Sequence, residues 1–210
     1  MRNANMVNSE LASIKEELIS ISTAADTGFN CDPAIGEQIE KLASQIEALT
    51  PTEDPTGQME AVEGRWRLLY SSFGQERETT LDRLAFGKLP KVPVSITGIF
   101  QEISTDSQQY NNLIEFTAGS GIKGVAKIAG RYTVENSKRL NIDFLEASAI
   151  PASDLSAGDF RDALGINGED ALESPLSFSG WSDITYLDGT LRLMRGNRQN
   201  LYVLVRDSCR

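Results

Sequence analysis

The chain has no histidine among its 210 residues. That absence removes the Ser-His-Asp triad, the Cys-His dyad and every histidine-ligated metal site. Cysteine is nearly as scarce. Cys31 and Cys209 are the only two, too few for a four-cysteine zinc site or a disulfide framework, and a reducing compartment is expected. Positive charge is in deficit: 20 Lys and Arg stand against 30 Asp and Glu, a net charge of −10. Repulsion of that sign excludes a nucleic-acid partner and also attachment to anionic lipid by overall charge. No run approaches 18 apolar residues, so no helical span is expected and any membrane contact is peripheral. Glycine-rich phosphate-binding motifs are missing. The acidic stretch around Asp154, Asp159, Asp162, Glu169, Asp170 and Glu173 lacks the alternation and glycine of a calcium loop. No catalytic residue, metal or cofactor is therefore expected. The opening MRNANMVNSE has neither an apolar core nor an Arg- and Ser-rich presequence. Either the protein works where it is made or a presequence has been removed.

What is present falls into two parts, 1–63 and 64–210. In the first, Val7, Leu11, Ile14, Leu18 and Ile21 recur at helical spacing, as do Ile35, Ile39, Leu42, Ile46 and Leu49. Thr27-Gly28 separates the stripes, and Asp32-Pro33 is a helix start. Pro51, Pro55 and Gly57 close the second helix and begin a polar linker. The two stripes cover the domain that follows, or keep a face for a partner or a lipid surface.

From Gly64 the period changes to two. Trp66, Leu68 and Tyr70 alternate with Arg67, Leu69 and Ser71, and strand-like runs follow at 94–103, 110–117, 122–134 and 140–147. An acidic insertion at about 148–180 is either a mobile surface segment or a lid or partner site. Beyond it, 181–187 and 190–195 flank Asp188-Gly189, a strong hairpin signal, and 201–206 adds a further strand. About eight short antiparallel strands favour closure, because an open sheet leaves edges exposed. The fold class expected is mainly β, an antiparallel lipocalin-like β-barrel preceded by two helices. Such a barrel is filled by side chains or holds one small apolar ligand.

Gly64-Arg65-Trp66 has the Gly-x-Trp form that opens such barrels. Gly64 permits a tight approach and Trp66 closes the floor, with Arg206 as the arginine stacked on it. Candidate lining residues are Trp66, Leu68, Tyr70, Phe100, Phe116, Ile128, Tyr132 and Phe144. A two-residue Asp188-Gly189 turn would set Thr185 opposite Arg192 and Asp183 opposite Met194, with Asp183, Thr185 and Arg192 on one face. That polar face is an exterior ion pair of little worth, or an interior site for a ligand carboxylate or another polar headgroup.

Three blocks, Gly64-Arg65-Trp66-Arg67-Leu68-Leu69-Tyr70-Ser71-Ser72, Gly98-Ile99-Phe100-Gln101-Glu102-Ile103, and the run from Gly180-Trp181 to Val205-Arg206, resemble the plastid lipid-associated protein family, also called plastid fibrillins. Thr27-Gly28 stands where that family often has Arg-Gly. Its plant members carry a transit peptide, so the resemblance points to a cyanobacterial member or a mature form. It implies a non-enzymatic protein of thylakoid or plastid lipid-droplet surfaces, peripheral to the membrane. The implied ligand is an isoprenoid, carotenoid, quinone or acyl lipid, and the implied role is photoprotection or membrane lipid organisation. The alternative is a scaffold with a filled barrel that docks a protein partner, an enzyme of prenylquinone synthesis or a thylakoid complex.

Overall fold

A computed structural model describes residues 2–29, 31–74, 76–119, 121–166 and 171–207, with side chains from Ser9 onward. The Val7 side chain, Glu169, Asp170 and Cys209 lie outside the described residues.

Two helices come first, α1 (Arg2–Ala24) and α2 (Pro33–Glu47). Asp32 caps α2, its Oδ1 accepting from the Ala34 amide at 2.8 Å, with Pro33 at the first helical position. Between the helices the backbone turns left-handed at Asp26, Thr27 and Gly28 and runs against the first strand. Thr27 N–H donates to the Leu69 carbonyl, and the Ser71 N–H donates back to Thr27. A Cβ on Gly28 would lie 2.5 Å from the Ser71 carbonyl oxygen, so only glycine fits there. A one-turn helix, α3 (Met59–Val62), leads into the sheet.

Nine strands follow: β1 (Gly64–Ser71), β2 (Glu78–Thr80), β3 (Pro93–Ser104), β4 (Gln109–Ala118), β5 (Lys123–Val134), β6 (Arg139–Pro151), β7 (Glu173–Leu187), β8 (Leu191–Gly196) and β9 (Leu201–Arg206). Their order is β1-β9-β8-β7-β6-β5-β4-β3-β2, all antiparallel, and β1 also pairs with β3. Eight strands thus close into a barrel-like ring, with β2 flanking β3 outside it. The closure removes the free edges that an open sheet would leave. At the seam, Arg65 meets Glu115 at 2.7 Å and Asp207 at 3.1 Å and lies over Phe100 at 4.0 Å.

Two hydrophobic layers result. One is the interior of the ring, extended by α4 (Leu81–Leu84) and α5 (Ala157–Ala163) over part of one end. The other lies outside, where Leu18, Ile39, Leu42 and Ile46 of the helices cover Tyr70, Tyr186, Leu191, Leu193 and Val203. The apolar stripes of the helices therefore bury against the sheet. Polar clamps hold this contact. Lys15 Nζ donates to Asp188 at 2.5 Å, and Arg195 meets Glu47 at 2.9 Å and Glu40 at 2.6 Å.

The acidic segment is shorter than its sequence suggests, because β6 runs to Pro151 and β7 begins at Glu173. Between them α5, capped by Ser156, sets Phe160 fully buried among the interior residues. Its acidic residues face solvent while its apolar side seals the ring.

Candidate functional site

The floor of the ring is closed around Trp66, which is fully buried. Its Nε1–H donates to the Val62 carbonyl at 2.8 Å, satisfying the one polar atom of the indole. The Arg206 guanidinium carbon lies 4.3 Å from the ring centroid, and its nitrogens donate to the carbonyls of Ala61 at 2.6 Å and Glu63 at 2.8 Å. Gly64 holds a left-handed φ of 108°, and a Cβ there would stand 3.1 Å from Arg206 Nη1. The Gly64, Trp66 and Arg206 set is one packed unit that ties the last described strand to α3.

Against the same indole lies Arg192, whose guanidinium carbon is 4.6 Å from the centroid. Arg192 is fully buried. Its Nη2 donates to Gln101 Oε1 at 2.6 Å, from β8 to β3 across the interior. Its Nε and Nη1 have no hydrogen-bond partner among the described residues. Burial pulls its pKa down to about 10; the Tyr110 hydroxyl opposes that fall and Arg206 adds to it. Tyr110 is no counter-ion, since burial pushes its hydroxyl up to about 12 even with Arg192 beside it. At neutral pH a charged guanidinium thus sits inside the ring without an anion.

Past this layer the ring is hollow. A cavity of about 590 Å³ begins at Gln101, Tyr110 and Asn112, is walled by Ile99, Ile114, Ile128, Ile142 and Leu68, and ends among Phe144, Phe178, Phe86 and Phe73. Its size falls in the range of small-molecule sites. The mouth is aromatic. Phe178 stacks on Phe144 at 4.9 Å and meets Phe86 edge-on at 4.6 Å. Phe73 and Phe86 are each 59% exposed. Phe86 stands at a left-handed φ of 56°, followed by Gly87, in the turn after α4. Exposed phenylalanines around one opening are an uncommon surface feature.

The predicted lining divides three ways. Leu68, Ile128 and Phe144 line the cavity. Trp66, Phe116 and Tyr132 point inward but belong to the packed interior. Tyr70 and Phe100 point outward, contrary to expectation. The register of β1 with β9 shifts between Leu68 and Tyr70, an inserted Leu69 that turns Tyr70 out beneath the helices. A similar shift in β3 between Ile96 and Gly98 sets Ile99 and Gln101 inward and leaves Phe100 outside under Arg65.

The polar trio is also corrected. The hairpin turns on Gly189-Thr190, with the Asp188 N–H donating to the Leu191 carbonyl. Leu187 therefore faces Arg192, and after an inserted Thr185 Ile184 faces Met194. The displaced turn shifts the pairing by two and keeps the faces; the inserted Thr185 reverses them. Asp183 lies outside, held by Arg139 through two hydrogen bonds of 2.7 and 2.8 Å. Thr185 also lies outside, donating to Glu47 Oε1 at 2.7 Å. Only Arg192 is inside. In the sequence Gln101 stands out only within the Gly98–Ile103 block of the resemblance, without a role, and Tyr110, Phe86 and Phe178 are not singled out. The signal for Gln101 was a glutamine in phase with Ile99 and Ile103 on an otherwise apolar face.

Asp188 serves the turn itself. Burial would raise its carboxyl, but hydrogen bonds from Lys15, Tyr186 and the amides of Thr190 and Leu191 hold it at about 2. Among the described residues no helix is long and apolar enough to cross a membrane.

Comparison with known proteins adds the kinship. Plastid-lipid-associated protein 6, chloroplastic, of Arabidopsis thaliana is 27% identical over 93% of this chain and 70% of its own length. Plastoglobulin-1, chloroplastic, of Pisum sativum is 26% identical over 96% of the chain and 63% of its own. Plastid lipid-associated protein 3, chloroplastic, of Brassica campestris is 27% identical over 92% and 60%. The chain thus spans roughly two thirds of these relatives. No solved structure matches significantly. The family model named PAP_fibrillin matches residues 12–205, taking in α2, Trp66, the buried Arg192 and the cavity, and the chain belongs to that family.

Proposed function

We propose that the protein binds or shields one apolar molecule, an isoprenoid, carotenoid, quinone or acyl lipid, and that it works at a thylakoid or plastid lipid-droplet surface. The observation that carries this reading is the cavity of about 590 Å³ behind a mouth of exposed phenylalanines. A ring whose only task was to scaffold would be filled to the density of an ordinary core. This one is packed at the floor and hollow above it. Burial of apolar ligand surface supplies affinity at about 25 cal/mol per Å², less the cost of association. The mouth suits transfer from a lipid surface, since Phe73 and Phe86 are placed to enter it while the cavity opens between them. The printed names of the relatives, lipid-associated proteins and a plastoglobulin, support the same environment. The role is non-catalytic, in photoprotection or membrane lipid organisation.

The test is organic extraction of the protein purified from its native source, with mass spectrometry against a mock purification. One stoichiometric apolar lipid is expected. Extracts that stay empty under mild purification overturn the carrier reading and leave a scaffold that docks a protein partner. Ile128→Trp, which projects bulk into the cavity, is expected to yield folded protein without the lipid.

A further inference from the structure

The buried guanidinium of Arg192 has no use in an apolar carrier. A fully buried cation is ordinarily paired, because desolvating it costs several kcal/mol that only an anion or a full set of hydrogen bonds offsets. Arg192 has one neutral acceptor, the Gln101 carbonyl oxygen, and two idle nitrogens. A methionine of similar length would pack there without that cost.

The surroundings are arranged for a negative or acceptor group. Gln101 Oε1 accepts from Arg192, and its NH₂ group, with two hydrogens, keeps one to donate beside its contact with the Tyr110 hydroxyl. Tyr110 stays protonated. Gln101 and Tyr110 line the inner end of the cavity, together with Asn112 and Ser182, and Arg192 lies directly behind Gln101. Among the described residues no Asp or Glu lines that end; Glu76, on the cavity wall, belongs to the mouth, where it pairs with Arg83 at 3.2 Å. The cavity thus grades from a positive, donor-rich inner end through isoleucines to phenylalanines. That is the profile of a single-chain amphiphile lying head inward.

We propose that the inner end of the cavity is an anion site for the carboxylate of a fatty acid, with Gln101 and Tyr110 donating to the head and Arg192 as its counter-ion. This rests on the carrier reading and narrows its ligand class from any apolar molecule to an acidic acyl chain. The chain lies along Ile114, Ile128 and Ile142 and ends against the Phe144–Phe178 stack.

The test is titration of the delipidated whole protein with palmitate, hexadecanol, methyl palmitate and hexadecyl phosphate, monitored by displacement of a fluorescent apolar probe. Palmitate is expected to bind at least about tenfold more tightly than hexadecanol or the ester, the ratio for a charge-assisted hydrogen bond in a dry site. Arg192→Met is expected to erase that ratio while hexadecanol affinity stays within about threefold; Arg192→Lys restores part of it. Equal binding of palmitate and hexadecanol overturns the anion site and leaves the carrier standing. Failure of all four ligands to bind folded protein overturns the carrier reading itself. Hexadecyl phosphate binding where palmitate does not overturns the carboxylate assignment. The ligand series on the unmodified protein decides the matter even if the variants do not fold.

Discussion

The two faces of strands β7 to β9 are built to different standards. On the outer face, beneath α1 and α2, the charged groups are answered, although the buried Ser22 hydroxyl of α1 has no hydrogen-bond partner among the described residues. Asp188 receives Lys15, Tyr186 and two backbone amides. Arg195 is shared between Glu40 and Glu47, and Glu47 also takes the Thr185 hydroxyl. On the inner face the same strands present Arg192 with one partner and two unanswered nitrogens. The outer face is a finished interface, in which helices and sheet complete each other. On the proposed reading the inner face is completed by a further molecule. Two arginines three residues apart on one strand thus carry opposite meanings, and sequence type alone does not separate them.

Three measurements sharpen this contrast. The largest effect is expected from Arg195→Met, which leaves Glu47 facing the sheet without its cation. Breaking a largely buried pair costs several kcal/mol, and the exposure of Glu40 moderates it to about 2–3 kcal/mol, a fall in Tm of roughly 5–10 °C. Calorimetry of the delipidated protein reads it. A smaller effect is expected in acid. The Asp188 carboxyl is held at about 2 against an ordinary 3.8, so its stabilising contribution is full above pH 3.8 and is lost as pH falls toward 2. Its half-exposed setting limits this to at most about 2 kcal/mol. Asp188→Asn should lower stability at neutral pH and flatten the acid limb of the stability curve. The smallest effect is expected from Arg192→Met without ligand. Relief of the buried charge and loss of the Gln101 hydrogen bond offset each other to within about 1 kcal/mol. A large destabilisation there would show that the inner face, too, is finished.

The sequence was most legible where periodicity is long and unbroken. The two helical stripes, the Asp32 cap, the Trp66 floor under Arg206 and the strands β3 to β6 follow from spacing and residue type. It was least legible at the bulges. Inserted residues at Leu69, Thr97, Leu145 and Thr185 each shift the register by one, and with a period of two each shift sends the following side chains to the other face. Unbroken alternation assigns Tyr70 and Phe100 to the lining and sets Asp183 and Thr185 beside Arg192. A bulge depends on twist and closure of the whole ring, so local propensity does not announce it. Gln101 could be read only as a companion of Arg192, and the two lie on strands far apart in the chain.

That separation bears on how the ring comes into being. Arg206 reaches back to Ala61 across 145 residues of chain, and β1, which can pair with β3 once about half the chain is made, finds β9 only when the chain is nearly complete. During synthesis one edge of β1 must wait while β3 to β7 assemble as a local meander, and the final step stitches the earliest strand to the latest. Contacts of such long range make folding slow, and an idle apolar strand is a liability in the meantime. The Thr27-Gly28 turn, which grips β1 at Leu69 and Ser71, is in place before β9 exists and holds the strand while its other edge waits.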